Sequence, residues 1–316
     1  MMIGNNMDKD PLVSVIMNCY NGEKYLTDAI ESVLAQSYNN WELIFWDNKS
    51  TDRSAEIFQA YKDHRLKYFY TDKHEPLYAA RGLAIKQACG EFLAFLDCDD
   101  MWYPAKIKKQ LVLFNEDRVG LVYSNFMYLE EMTDKRYIAR ENQLPTGDVL
   151  SVLLKKYEIG LLTIMIRKSS YDDMNEKFNP KYNIIGDLDF CIRFSAKWKF
   201  DCDQLPLAYC RLHDLNLQFA DIKTNMNELE EWVFENENND ELSRYSEFFI
   251  LKSNILRSIS LYETVNGNRK YALRNLSKFT ILFNKTIIVN LLIIMMSIFT
   301  PAFILKFFLS GNPRYE

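Results

Sequence analysis

Glu91-Phe-Leu-Ala-Phe-Leu-Asp-Cys-Asp-Asp100 is the stretch on which the fold turns. From Phe92 to Leu96 every side chain is apolar, the mark of a strand buried on both faces rather than one alternating between core and water. The run passes without a break into the carboxylates of Asp97, Asp99 and Asp100. Like charges gathered at the end of an apolar strand repel one another unless something cationic sits between them. The pattern predicts a buried strand that carries an acidic turn to a place where a cation binds. Asp is also favoured in turns and at helix starts, so Asp100 has a second reading as the cap of a helix beginning near Pro104.

Upstream, the same strand-loop-helix rhythm recurs. Residues 12–17 form a β-branched apolar run that ends in the turn-forming Asn18-Cys19-Tyr20-Asn21-Gly22, and apolar positions at helical spacing follow from Tyr25 to Leu34. Leu43 to Trp46 is a second strand, with a polar loop at Asp47 to Thr51 and a helix from Asp52 to Lys62, for which Ser50, Thr51 and Asp52 are cap candidates. A third strand covers Leu66 to Tyr70, and a helix covers Tyr78 to Ala88. Strands alternating with helices predict an α/β fold with a doubly wound, mainly parallel sheet. Such sheets bind ligands beyond the carboxyl ends of their strands. That rule gathers Asn18 and Tyr20, Asp47 and Asn48, and Asp97 to Asp100 along one edge. Beyond a strand at Gly120 to Tyr123, the chain reads as irregular to about Leu207, and residues 221–264 read as helical and acidic.

Bulk composition narrows the function. The chain has 316 residues, with 43 acidic and 38 basic side chains and a net charge of −5. No stretch is basic enough for a phosphate-tracking groove, so a nucleic-acid partner is not expected. Six cysteines without a C-x-x-C pair fit a reducing compartment, and the polar Met1 to Pro11 lacks the apolar run of a secretory signal. An acidic cluster serves the phosphates of a nucleotide only through a divalent metal, and hard carboxylate oxygens suit Mg²⁺ or Mn²⁺. His64 and His74 lie in polar stretches with no partner foreseen, so no histidine-based metal site is expected.

The order of these elements resembles the family 2 glycosyltransferases of the GT-A fold. Val13-Ser-Val-Ile-Met-Asn-Cys-Tyr-Asn21 is similar to the family's opening strand and loop, Ser32-Val-Leu-Ala-Gln-Ser37 to its first helix end, and Trp46-Asp-Asn-Lys-Ser-Thr-Asp52 to its second strand end. Ala80-Arg-Gly82 resembles its Ala-Arg-Asn element, and Phe95-Leu-Asp-Cys-Asp-Asp100, with Trp102, Pro104 and Lys106, its metal-binding D-x-D turn. The resemblance implies that Asn18, Tyr20, Asp47 and Asn48 surround a nucleotide base, that Arg81 faces the nucleotide or its phosphates, and that Asp97 faces the ribose. It makes Asp99 the metal ligand and Asp100 a second candidate. Gly186-Asp-Leu-Asp-Phe-Cys-Ile-Arg193 resembles the acceptor-side Glu-Asp-x-Asp-Leu-x-x-Arg, which makes Asp187 the general base. The plainer reading is that Asp187 and Asp189 start a helix. Arg211-Leu-His213 resembles a later Arg-x-His element whose imidazole, here His213, approaches the metal or diphosphate. Asn48, Gly82 and Gly186 depart from the family's usual Asp, Asn and Glu.

From Thr286 to Leu305 the chain runs 20 residues without a charge, the length of a bilayer core. Asn290 and Pro301 leave an in-plane placement open. Just before it, Arg269, Lys270, Arg274, Lys278 and Lys285 alternate with apolar residues, a pattern suited to anionic headgroups. The expected organisation is a catalytic domain over 11–220, with a nucleotide-binding half at 11–125 and an acceptor half at 126–220. A helical linker at 221–285 and a membrane-associated segment at 286–309 follow. The expected function is inverting transfer from a nucleotide-sugar donor to a saccharide or lipid-linked acceptor in surface polysaccharide or lipopolysaccharide assembly. The expected place is the cytoplasmic face of a membrane, the bacterial inner membrane, with the C-terminus as anchor. Two rivals are a nucleotidyltransferase, against which the lack of a Gly-rich triphosphate loop counts, and a membrane-tethered subunit that binds nucleotide-sugar without turnover.

Overall fold

A computed structural model describes residues 10–214, 216, 221–268 and 270, so the apolar run at 286–305 and the basic stretch before it, apart from Lys270, lie outside the described residues. The chain divides into two compact units. Of the described residues, one unit holds 10–153 and 157–214, and the other holds 154–156 and those from 216 onward.

The first unit is built on a 9-stranded sheet. It begins β1 (Val13–Cys19), α1 (Leu26–Leu34), β2 (Trp41–Asp47), α2 (Ser54–Ala60), β3 (Leu66–Tyr70), α3 (Leu77–Ile85) and β4 (Phe92–Phe95). These four strands lie parallel in the order β3-β2-β1-β4. β1, β2 and β4 are buried at every position, which is why their sequences are mainly apolar on both faces, with Ser14, Asn18, Glu42 and Asp47 as polar exceptions. Against one face α1 sets Leu26, Ala29, Ile30 and Val33, the positions its helical spacing predicts, over Val15, Met17, Leu43 and Phe45. Leu26, Ile30 and Val33 each contribute about 1.5–3 kcal/mol when fully buried, and Ala29 less.

The sheet continues with β5 (Met101–Trp102), α4 (Lys106–Leu111), β6 (Val119–Glu130), β7 (Arg136–Ile138), α5 (Leu150–Lys155), β8 (Met165–Arg167), α6 (Lys168–Asp172), α7 (Gly186–Ser195) and β9 (Lys199–Leu212). β8 joins antiparallel between β4 and β6, whereas β6 and β9 pair in parallel. The section expected to be irregular is therefore ordered. β6 runs 12 residues rather than stopping at Tyr123, and β9 carries the chain back to the acidic turn, where β5 pairs with it. Register shifts between Val119 and Leu121 and on both sides of Asn125, opposite Pro206, break the period-two pattern by which a strand is recognised.

In the second unit α8 (Ile222–Glu235) starts at Asp221, whose side chain accepts from the Thr224 amide at 3.0 Å, and α9 (Ser246–Val265) lies against it. The Trp232 and Phe248 rings meet there at 6.1 Å. No described helix is long and apolar enough to cross a membrane.

Candidate functional site

Parallel pairing of β1 with β2 puts Asn18 beside Trp46 and Cys19 beside Asp47, so two strand ends open onto one edge. The loops that follow are laced together. The amides of Asn21, Gly22 and Glu23 donate to Ser50, Ser54 and Asp52, while Thr51 and Arg53 donate back to Asn21 and Glu23. Asn21 and Lys49 take positive φ of 54° and 68° to make these turns. None of Ser50, Thr51 or Asp52 is the residue preceding the first turn of α2. Arg53 is, and it makes no side-chain cap; Asp52 instead accepts from the Ser54 amide at 3.0 Å.

Asp47 is fully buried and already occupied, accepting from the Ser50 amide and from the Tyr68 hydroxyl, both at 2.7 Å. Asn48 grips Glu75, donating to its carbonyl at 2.8 Å and accepting from its amide at 3.1 Å. His74 does have partners, contrary to expectation. Its Nδ1 sits 3.0 Å from the Asn48 carbonyl, and its ring lies 4.2 Å from that of Tyr20. Tyr20 is 52% exposed, an aromatic face offered outward beside Asn18. Asn18 is buried with neither amide atom hydrogen-bonded among the described residues. A buried orphan amide costs free energy unless something fills it.

The acidic turn closes with the Asp100 amide donating to the Asp97 carbonyl at 3.2 Å. Arg81, on α3, is wholly buried beneath it and donates to the Asp97 carboxylate at 3.0 Å, so Arg81 reaches the edge through Asp97 rather than by its own exposure. Burial pushes the Asp97 carboxyl above its usual range and Asp99 adds to the shift, while Arg81 opposes both. Asp100 is held still higher by burial and by the charges of Asp99 and Asp97. Its carboxylate caps no helix, for it accepts from the Arg211 amide at 3.0 Å, and Ala105 precedes α4 without a side-chain cap.

β9 supplies the far wall. Arg211 donates from Nε to the Asp99 carbonyl at 3.1 Å and from its guanidinium to Asp28 at 2.7 Å. His213 places Nε2 3.0 Å from Asp99 Oδ2, with its ring 4.7 Å from that of Tyr25. Thus Asp99 and His213, separated by 114 positions, form one polar pair. Among the described residues no group of three or more His, Cys, Asp and Glu side chains encloses a metal ion. The turn nonetheless fits a divalent cation that takes its remaining ligands from phosphate and water, because Asp97, Asp99 and Asp100 bring three carboxylates together and those of Asp97 and Asp99 stay part-exposed.

Asp187 and Asp189 occupy the first turn of α7, as the plainer reading of that segment holds, yet the two differ. Asp189 is paired with Arg193, whose guanidinium also donates to the Glu176 and Lys177 carbonyls. Asp187 has no such ion pair among the described residues. It accepts from the Tyr157 hydroxyl at 3.1 Å, and burial pushes its carboxyl up. The Arg81 guanidinium feels both Asp97 and Asp187, which ties the base candidate to the acidic turn. Tyr157, Tyr78 and Tyr68 were not foreseen as site residues. Tyr78 reads as one more apolar helix position, and nothing near Tyr157 marks it.

A family profile described as "Glycosyl transferase family 2" matches residues 14–185. The chain is 33% identical over 172 residues to a UDP-Glc:alpha-D-GlcNAc-diphosphoundecaprenol beta-1,3-glucosyltransferase, WfgD, of Escherichia coli, covering 54% of this chain and 66% of that one. It is 35% identical over 158 residues to TuaG of Bacillus subtilis, a glycosyltransferase assigned to teichuronic acid biosynthesis, covering 49% and 62%. The matches thus span somewhat less than two thirds of those relatives. In fold it is similar to residues 1–349 of S. aureus TarS in complex with UDP, with a TM-score of 0.59 at 16% identity over 83% of this chain and 87% of that one. It is also similar to a mannosyltransferase of Pyrobaculum calidifontis in complex with GDP-Man and Mn²⁺, with a TM-score of 0.56 at 12% identity over 94% and 83%.

Proposed function

We propose, for a chain that belongs to glycosyltransferase family 2, that it moves a sugar with inversion from a nucleoside-diphosphate sugar to a hydroxyl of a saccharide or lipid-linked acceptor in surface polysaccharide assembly. The observation that carries the reading is the crowding of three carboxylates at the aspartate turn, with His213 on Asp99, set beside the orphan amide of Asn18. The name of the E. coli relative, with its UDP-sugar donor and diphosphoundecaprenol-linked acceptor, supports the choice of substrates.

Tyr20 and Asn18 receive the base, within a wall that Asp47 and Asn48 hold in shape, and Asp97, backed by Arg81, takes the ribose. Asp99, with Asp100 and His213 as further ligands, holds Mg²⁺ or Mn²⁺, which neutralises charge on the departing diphosphate when bound. Asp187 accepts the proton of the acceptor hydroxyl as that oxygen bonds to the anomeric carbon, and the bond from that carbon to the diphosphate oxygen breaks on the opposite side. A carboxyl raised by burial binds that proton more readily than an ordinary Asp at neutral pH. The catalytic domain of 11–220 is followed by a helical linker, and the segment at 286–309 anchors it to the cytoplasmic face of a membrane.

A thermal-shift panel of UDP-, GDP-, dTDP- and CMP-sugars, each with and without Mn²⁺, tests the donor site, since a ligand that binds the folded state raises apparent stability. A metal-dependent shift with one nucleotide class is expected. Folded protein that shifts with none of them overturns the transfer reading, and a shift without product on any acceptor favours a binding subunit.

A further inference from the structure

Gly186 stands directly before Asp187, at the position where the family's segment carries Glu. A Cβ built on it would meet Cγ and Cδ2 of the Tyr78 ring at 2.4 Å, a distance that real Cβ atoms do not show. The Tyr78 ring therefore occupies the room that a side chain at 186 would need. Tyr78 is 3% exposed and is fixed at the start of α3 by its amide, which donates to the Tyr182 carbonyl at 3.2 Å. Its hydroxyl lies at Asp187, close to the backbone as well as the carboxyl of that residue, and the Tyr157 hydroxyl donates to Oδ2 of the carboxylate at 3.1 Å. Tyr157 also lies 3.6 Å from Cys191 Sγ, one turn further along α7, so its ring is braced against the helix that carries the base.

We propose that Tyr78 and Tyr157 are the positioning residues of the general base, and that Gly186 is what admits the Tyr78 ring to this place. The inference rests on the reading of Asp187 as the base. A carboxylate has about four lone-pair sites, so the Tyr157 donor, with Tyr78 packed beside it, holds its plane and leaves sites free for an incoming proton. Burial keeps both phenols well above their ordinary range, so they remain donors. The other groups that face Asp187 are Arg81 on α3, which favours the charged form, and Cys191 on α7 itself. Burial alone would drive this carboxyl toward the neutral acid, and the Leu188 amide, then the Tyr157 and Tyr78 hydroxyls, restrain it, leaving a base that is both oriented and ionisable.

The test is a titration of the detergent-solubilised full chain labelled with [4-¹³C]aspartate, the Asp187 signal being assigned by its absence from D187N. Y157F and Y78F each keep the ring and lose only the donor. Each is expected to move the Asp187 midpoint upward by about one pH unit, roughly tenfold in proton affinity, as loss of a hydrogen bond to a charged group implies. Turnover, measured with the nucleotide-sugar that stabilises the wild-type chain, should fall through kcat, with the donor KM unchanged. G186A should mimic Y78F by displacing the ring, yet add no further loss in a Y78A background. Wild-type midpoints in both Tyr→Phe variants overturn the proposal, as does additivity of G186A with Y78A. Undiminished transfer by D187N would instead remove Asp187 as the base while leaving the midpoint shifts standing, so the two failures are distinguishable.

Discussion

Two groups of acids sit at opposite ends of the same parallel strands, and they are treated in opposite ways. At the amino end Glu42 is buried, yet it accepts from the Ser14 hydroxyl at 2.6 Å, the Cys89 amide at 2.7 Å and the Lys67 ammonium at 2.5 Å, while Ser14 accepts in turn from the Gly90 amide. Burial pushes its carboxyl up, but these donors outweigh it and the net shift is downward. At the carboxyl end Asp97 and Asp100 shift the other way, because burial and mutual repulsion exceed what Arg81 and the Arg211 amide return. A carboxylate whose donors are all supplied by the fold is part of the scaffold. One left short of such donors at a strand end is a candidate for binding a ligand that brings positive charge.

That contrast is open to breaking. The largest expected effect is at the unsatisfied end: D99A should lower transfer by at least about a thousandfold, since stabilising charge on the departing diphosphate is worth several kcal/mol. Its melting temperature should stay near that of wild type, and normal turnover would remove the metal argument. At the satisfied end E42Q should do the reverse, destabilising the chain by about 2 kcal/mol in urea unfolding, the scale of a hydrogen-bonded charge lost from a buried network. Its kcat at a permissive temperature should remain intact.

The smallest effect is the most telling. D100N keeps an acceptor for the Arg211 amide but removes one repelling charge, so it should raise stability in the absence of metal by up to about 1 kcal/mol. Mn²⁺ with a nucleoside diphosphate should erase that advantage, and a D100N chain less stable than wild type under metal-free conditions would contradict the comparison. The pH dependence separates the two ends further. Asp100 binds its proton more tightly folded than unfolded, so wild type loses stability as pH rises from the ordinary 3.8 toward the raised folded value. The D100N advantage should open over that window and vanish below it. Glu42 is lowered, so its contribution is fully present above the ordinary 4.5 and is lost as pH falls through the folded value. The E42Q deficit should therefore be largest at neutral pH and close in acid. Thermal unfolding of both variants between about pH 3 and 8 reads the opposite signs directly.

The strands β1 to β4 were legible because their local pattern and their burial agree: Phe92 to Leu96 reads as a strand buried on both faces and is one. β6 was half legible, since Leu121 to Tyr123 is an apolar, β-favouring run while Ser124 and Asn125 are buried polar residues at register shifts. The site shows the same division. Asn18, Asp47 and the aspartate turn lie at strand ends, where topology alone gathers them. The Asp99 to His213 pair is a product of the β6–β9 ladder, and the tyrosines about Asp187 depend on side-chain directions that spacing does not encode. His74 was missed because its partner is a backbone carbonyl, which leaves no trace in residue type.

The return of β9 to the aspartate turn also sets a timetable for synthesis. Arg211 and His213 follow the aspartates they meet by 111 and 114 positions. At about 5–20 residues per second, a ribosome needs on the order of ten seconds to add that length. Throughout that interval the nascent chain carries its acidic turn without the strand that completes it. The acidic turn is therefore completed only after nearly the whole first unit has been made, and a chain broken off at residue 185, where the family match ends, would still lack Arg211 and His213.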